Sequence, residues 1–155
     1  MTYVVELTEV APLPIAVVQR RSTIANLSQV IPPACGEVWN FIRANSIPHT
    51  GLNLVVYRGT QGCSQLDLEC GVIVSASFSG TETIASTTTP HGRAATTVHM
   101  GPYHRLGDAN QAIRDWCDAR HLALTGVSWE IYGHWNDDPA QLRTDVFWLV
   151  ADDTA

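Results

Sequence analysis

Glu130 is a carboxylate set inside an apolar strand pattern. In VSWEIYGHW, from Val127 to Trp135, the residues Val127, Trp129 and Ile131 alternate with Ser128, Glu130 and Tyr132. A period of two assigns the two sets to opposite faces of a strand. One set reads as packing, and the other places a carboxylate beside a phenol. A charge among apolar neighbours is costly unless it is paired or has a task. Three roles suit it. It can attract a cation, which gains a further ~0.5–2 kcal/mol over aromatic faces. It can serve as a general acid or base. Or it is a partly exposed strand glutamate paired with Arg143 or Arg58.

Other chemistries have no comparable signal. No G-x-S-x-G or Cys-His arrangement marks a nucleophile, and no glycine loop is built to cradle phosphate. The six histidines are scattered without H-x-x-x-H spacing, so neither a metal nor a cofactor is expected. The cysteines Cys35, Cys63, Cys70 and Cys117 form no C-x-x-C pair. They read as buried thiols of a reducing compartment. The nine basic residues are all arginine, the net charge is −6, and no basic run occurs. Direct nucleic-acid binding is therefore not expected, and neutral or cationic partners suit the acidic balance better. No apolar run approaches transmembrane length and the N-terminus has no basic leader region, which points to a cytoplasmic protein without membrane contact.

The elements that must position Glu130 emerge when the chain of 155 residues is slid against itself by 75 positions. VWNFIRANSIPHTGLNLVVYRG then lies over IRDWCDARHLALTGVSWEIYGH, so that Thr50-Gly51 meets Thr125-Gly126 and Tyr57 meets Tyr132. At slightly different offsets LDLECGVIV meets LRTDVFWLV, and AVVQRRSTIANL meets ATTVHMGPYHRL. Each copy reads as a strand, an amphipathic helix, a Thr-Gly turn and two strands. The helix stripes are Cys35, Val38, Phe41 and Ile42 in one copy, and Leu106, Ala109, Ala112, Ile113, Trp116 and Cys117 in the other, with Pro32 and Pro33 placed near a helix start. A lead-in strand is expected before each copy, at Thr2–Val10 and Phe78–Thr87. The expectation is a single α+β domain over 1–155. It is a duplicated strand-helix-strand-strand module with about eight antiparallel strands, two helices and pseudo-twofold symmetry, its repeats spanning roughly 1–76 and 77–155. A ligand groove is expected between the halves.

The order of local marks resembles the GyrI-like superfamily, also known as the AraC effector-binding or SOUL-type fold. The marks are His99-Met100-Gly101-Pro102-Tyr103 after a strand, the helix around Trp116, Glu130 with Tyr132, Asp67-Leu68-Glu69-Cys70-Gly71, and Asp145-Val146-Phe147. The resemblance covers almost the whole chain. It implies a domain that binds hydrophobic, aromatic, often cationic compounds, here as a standalone protein that sequesters or senses them. Some relatives of this kind are similar to metal-independent hydrolases that open cyclopropane-bearing toxins with a groove glutamate; in that case Glu130 and Tyr132 are the catalytic pair. A further alternative is an inhibitor that docks on a DNA-handling enzyme.

Tyr57 and Tyr132 are expected to line the groove with Glu130 as its asymmetric charge, since the residue matching Glu130 in the first copy is Val55. Asp145 and Phe147 share strand parity and are expected to join it as a second carboxylate and a stacking ring, with Glu69 the first-copy counterpart of Asp145. Tyr103 is placed over the groove mouth or over the helix start. Trp39 is placed on the helix flank at the rim. His99 is either a ligand contact or a structural histidine at its Gly-Pro turn. Trp148 alternates with Val146 and Val150 and reads as core. The protein is expected to be a monomer or homodimer.

Overall fold

The Thr-Gly pairs decide where each half of the chain changes face. In the computed structural model, which describes residues 2–59 and 65–151, both pairs lie inside a strand and form a bulge. Pairing registers shift between His49 and Asn53 in one copy and between Leu124 and Ser128 in the other. Gly51 and Gly126 adopt φ of 85° and 90° there, a region that side chains disfavour. Each threonine bridges its bulge in the same way. Thr50 donates to the Ile73 carbonyl and Thr125 to the Leu149 carbonyl. The backbone N–H groups of Leu52 and Val127 donate back to the same two hydroxyls. The expected turn is thus a strand irregularity, and the strands that contain it begin earlier than the sequence pattern suggests.

In chain order the elements are β1 (Glu6–Val10), β2 (Pro14–Ser22), α1 (Leu27–Asn45), β3 (His49–Arg58), β4 (Leu66–Val74), β5 (Ala85–Thr88), β6 (Gly92–Met100), α2 (Leu106–Ala119), β7 (Leu124–Tyr132) and β8 (Arg143–Val150). This is the α+β duplication expected from the repeat. Two compact units form, one from Pro12–Thr89 and the other from residues 1–11 with Pro90–Ala155. In the first the antiparallel strand order is β3-β4-β2-β5, and in the second it is β7-β8-β6-β1. The lead-in strands are therefore exchanged: β1 pairs with β6 of the second copy, and β5 pairs with β2 of the first. The unit boundaries depart from the expected division near residue 76 for this reason.

Within the first unit α1 covers one sheet face with Ala34, Cys35, Val38 and Ile42 buried, and Phe41 packs on Phe78 with ring centroids 5.6 Å apart. Pro32 and Pro33 lie inside this helix rather than at its start. They are exposed, as are Ser28 and Gln29, whose carbonyls lose their intrahelical donors. Water can serve those carbonyls, which keeps the cost of the prolines low. Burial pushes the Cys35 and Cys70 thiols up to about 11 and about 12; both are free and unreactive, as is buried Cys117, whose thiol is also raised. Cys63 lies outside the described residues. In the second unit α2 packs Leu106, Ala109, Ile113 and Cys117 against Ala95, Val146 and Val150. No helix of the described chain is long and apolar enough to cross a membrane.

Gly71 ends the Asp67–Gly71 motif because β2 approaches it closely. A Cβ there would sit 1.8 Å from the Ala16 carbonyl oxygen, whereas one at exposed Gly36 in α1 would meet nothing within 4 Å. Gly71→Ala is expected to destabilise the protein by about 3 kcal/mol or more in urea unfolding. Gly36→Ala should stabilise it by about 0.5–1 kcal/mol; a tolerated Gly71→Ala would contradict the pairing of β2 with β4.

Candidate functional site

The bulge at Gly126 turns Ser128, Glu130 and Tyr132 toward the face of the second unit on which α2 packs. Their partners across the strand pair are Trp148, Val146 and Thr144, and Val146, Trp148 and Tyr132 belong to the cluster around α2. Glu130 is only 5% exposed, so the surface-glutamate alternative fails. Its two suggested arginine partners are engaged elsewhere, Arg143 with Asp145 and Arg58 with Glu69.

Each carboxylate oxygen of Glu130 accepts a hydrogen bond from a neutral donor. The Tyr132 hydroxyl donates to Oε1 at 2.7 Å, and the Asn110 side-chain amide donates to Oε2 at 3.0 Å. Asn110 reaches across from α2, where its Nδ2 also donates to the Leu106 carbonyl at 3.0 Å. Its Oδ1 accepts from the Trp148 indole N–H at 2.9 Å. The orientation of this amide has one solution, because an indole N–H can only donate and a carbonyl can only accept. Beside the network, Tyr103 meets Tyr132 edge-on with centroids 5.6 Å apart, and the Arg114 guanidinium lies 5.4 Å from the Trp148 ring centre. Tyr103 is partly exposed and its phenol is held above the usual range by burial. The arrangement presents a fixed carboxylate among aromatic rings, two of them half-buried and one at the surface. Hydrogen bonds to a buried carboxylate hold its charge in place without cancelling it.

Several expected members of the site lie elsewhere. Phe147 and Asp145 stand opposite Trp129 and Ile131 in the register and so face away from Glu130. Phe147 stacks on Trp129 with centroids 5.0 Å apart, and Asp145 pairs with Arg143 at 3.0 Å. Shared parity within one strand did not determine which face the partner strand presents. Glu69 is likewise on the face opposite Tyr57, since Glu69 stands across from Val56 and Tyr57 from Leu68; its carboxylate binds Arg58 at 3.0 Å. His99 is 1% exposed, with one ring nitrogen 2.8 Å from the Tyr3 hydroxyl and the other 3.1 Å from the Pro102 carbonyl. It is a structural histidine and offers no nitrogen to a ligand.

Tyr57 and Trp39 belong to the other unit. Tyr57 is half-buried on β3, and Trp39 on α1 donates to Asn53 Oδ1 at 2.7 Å and meets His49 edge-on. Asn110 and the polar role of Trp148 escaped the sequence reading. A signal for Asn110 was present: it falls between Leu106 and Ile113 on the apolar stripe of α2, where a polar residue needs a buried partner. Among the described residues no cluster of histidine, cysteine or acidic side chains is arranged to hold a metal ion.

A family model described as the GyrI-like small molecule binding domain matches residues 3–151. No curated protein sequence matches the chain. Among solved structures, the C-terminal domain of EcmrR is similar with a TM-score of 0.75 and 22% identity over 97% of this chain and 99% of that one. In an EcmrR–DNA complex the chain spans 57% of the EcmrR chain, with a TM-score of 0.76 and 19% identity. SAV2435 bound to tetraphenylphosphonium aligns with a TM-score of 0.62 and 10% identity over 97% of this chain and 94% of that one. A hydrolase from Listeria innocua aligns with a TM-score of 0.57 and 10% identity over 95% and 91%. At these identities the structures establish the shared fold.

Replacing the bridging amide by an acid tests the network. In Asn110→Asp a carboxylate oxygen faces Glu130 Oε2 and the Leu106 carbonyl where the amide donated. The folded pair should retain a proton that the unfolded chain releases near pH 4, so its deficit grows as pH rises. Thermal unfolding is expected to show a loss of about 2–4 kcal/mol at pH 8 and a clearly smaller one at pH 5. An equal loss at both values would mean that the two side chains do not meet.

Proposed function

The chain belongs to the GyrI-like family of small-molecule-binding domains, and on that premise we propose that the Glu130 face receives a bulky, aromatic, cationic compound, for sequestration or sensing. The observation that carries the reading is the buried carboxylate whose two oxygens each accept from a neutral side chain. Such a charge is already oriented and asks no hydrogen-bond donor of its ligand. It suits cations with dispersed, shielded charge, such as quaternary phosphonium or ammonium groups carrying aromatic rings. Tyr132 and Tyr103 supply ring surface around it, and cation–aromatic attraction acts in the same direction as the carboxylate. The tetraphenylphosphonium of SAV2435 is a compound of this class, which supports the choice of ligand.

Hydrolysis of a strained ligand draws on the same residues. As a general base, however, Glu130 would use a second lone pair of an oxygen that already accepts from Tyr132 or Asn110, and each of those hydrogen bonds lowers its basicity. Binding is the reading that the geometry supports better.

Titration with tetraphenylphosphonium, followed by tryptophan fluorescence, is expected to give saturable quenching. Glu130→Gln should weaken this cation by about 1–3 kcal/mol and leave a neutral aromatic compound of similar size unaffected. Glutamine can keep both hydrogen bonds: its carbonyl accepts from Asn110 while its amide donates to the Tyr132 hydroxyl, which turns from donor to acceptor. Equal losses for the cation and the neutral compound would assign Glu130 a structural role only.

A further inference from the structure

The His99–Tyr103 motif connects the N-terminal segment to the ligand face. His99 Nε2 lies 3.1 Å from the Pro102 carbonyl. That oxygen only accepts, so Nε2 carries a proton, and Nδ1 lies 2.8 Å from the Tyr3 hydroxyl, which donates to it in the Nε2–H tautomer. The two rings also stack, with centroids 6.0 Å apart and planes 27° from parallel. Burial, with Asp108 adding to it and Arg105 opposing, holds the Tyr3 phenol above its ordinary range. Residues 2–5 precede β1 outside regular secondary structure. Tyr3 and Val5 pack against the α2 cluster, and Thr97 donates to the Val4 carbonyl at 2.7 Å.

Beyond Pro102 the chain makes a 3-10 turn from Tyr103 to Arg105 and enters α2. Tyr103, the first residue of that turn, is the ring set edge-on against Tyr132, and Tyr132 donates to Glu130. A continuous series of contacts therefore runs from Tyr3 through His99 and Pro102 to Tyr103, Tyr132 and the carboxylate. Each link is a hydrogen bond, a covalent neighbour or a ring contact within one unit.

We propose that Tyr3 is a positioning residue for the ligand site, and that residues 2–5 act as a strap which, through the buried His99 ring, fixes the turn carrying Tyr103. The strap sets the ring that borders Glu130, and the inference rests on the Glu130 face being the binding face. Removing the Tyr3 hydroxyl leaves a buried imidazole nitrogen without its donor, a loss felt locally. Freed from it, the His99 ring and the Pro102 carbonyl lose their fixed geometry, and Tyr103 loses its set position over Tyr132.

The test compares the full chain with Tyr3→Phe, which removes only the hydroxyl, and with Val5→Ala, which trims the segment's packing on the α2 cluster and keeps the Tyr3–His99 contact. Tetraphenylphosphonium affinity and amide hydrogen exchange are measured for each. Tyr3→Phe is expected to raise the dissociation constant by about 3–10-fold and to speed exchange at Gly101 and Tyr103–Arg105, whereas Val5→Ala stays within about twofold of the parent in both. Unchanged affinity in Tyr3→Phe, or the same loss in both variants, would overturn the proposal. If the parent protein does not bind the cation, the ligand-site reading fails. The strap is then decided by exchange alone: selective quickening around Tyr103 in Tyr3→Phe supports it, and its absence overturns it.

Discussion

A carboxylate that is 5% exposed constrains everything around it. Leaving it without donors would cost several kcal/mol out of a folding stability of roughly 5–15 kcal/mol, so the chain must deliver donors to fixed places. Tyr132 comes from the same strand two residues on, and Asn110 comes from α2. Asn110 can serve only if α2 holds its present rotation, with Leu106 behind it and the Trp148 indole in front. The bulge at Gly126 fixes the strand face, and the amide fixes the helix against the sheet.

The duplication supplies an internal control. The strand registers of the two units match residue for residue: Asn53, Val55 and Tyr57 face Val72, Cys70 and Leu68 as Ser128, Glu130 and Tyr132 face Trp148, Val146 and Thr144. Asn110, Glu130 and Trp148 correspond to Cys35, Val55 and Val72, all of them buried. One copy of the module thus builds these positions from apolar side chains and folds the same way. Buried polar networks seldom stabilise a fold better than packed apolar groups. The fold does not require the network of the second unit, and a functional reason for it is the more economical one.

Much of this was legible in the sequence, and the failures have physical causes. Alternation placed Glu130 and Tyr132 together and Trp129 apart from them, because side-chain direction along one strand follows from its pleat. The self-alignment anticipated the duplication and the two helices, and it found the repeated Thr-Gly pair but read it as a turn rather than as a bulge within a strand. Phe147 and Asp145 were assigned to the wrong face because alternation in one strand does not say which of its sets meets which set of the neighbour. The exchange of β1 and β5 was hidden because adjacency in sequence suggests pairing within a copy, whereas backbone pairing carries no such label. Asn110 went unremarked although it lies on the apolar stripe of α2; its partner Trp148, thirty-eight residues away, is invisible to any local pattern.

The central claim is that this face selects its ligand by charge, through a carboxylate that the fold has oriented in advance. Tetraphenylphosphonium and tetraphenylborate have nearly the same size, shape and aromatic surface and carry opposite charges, so isothermal titration of both isolates that term. The account predicts saturable binding of the phosphonium and binding of the borate at least about tenfold weaker, a difference of about 1.4 kcal/mol or more. Borate binding as tight as that of the phosphonium, or tighter, would contradict it.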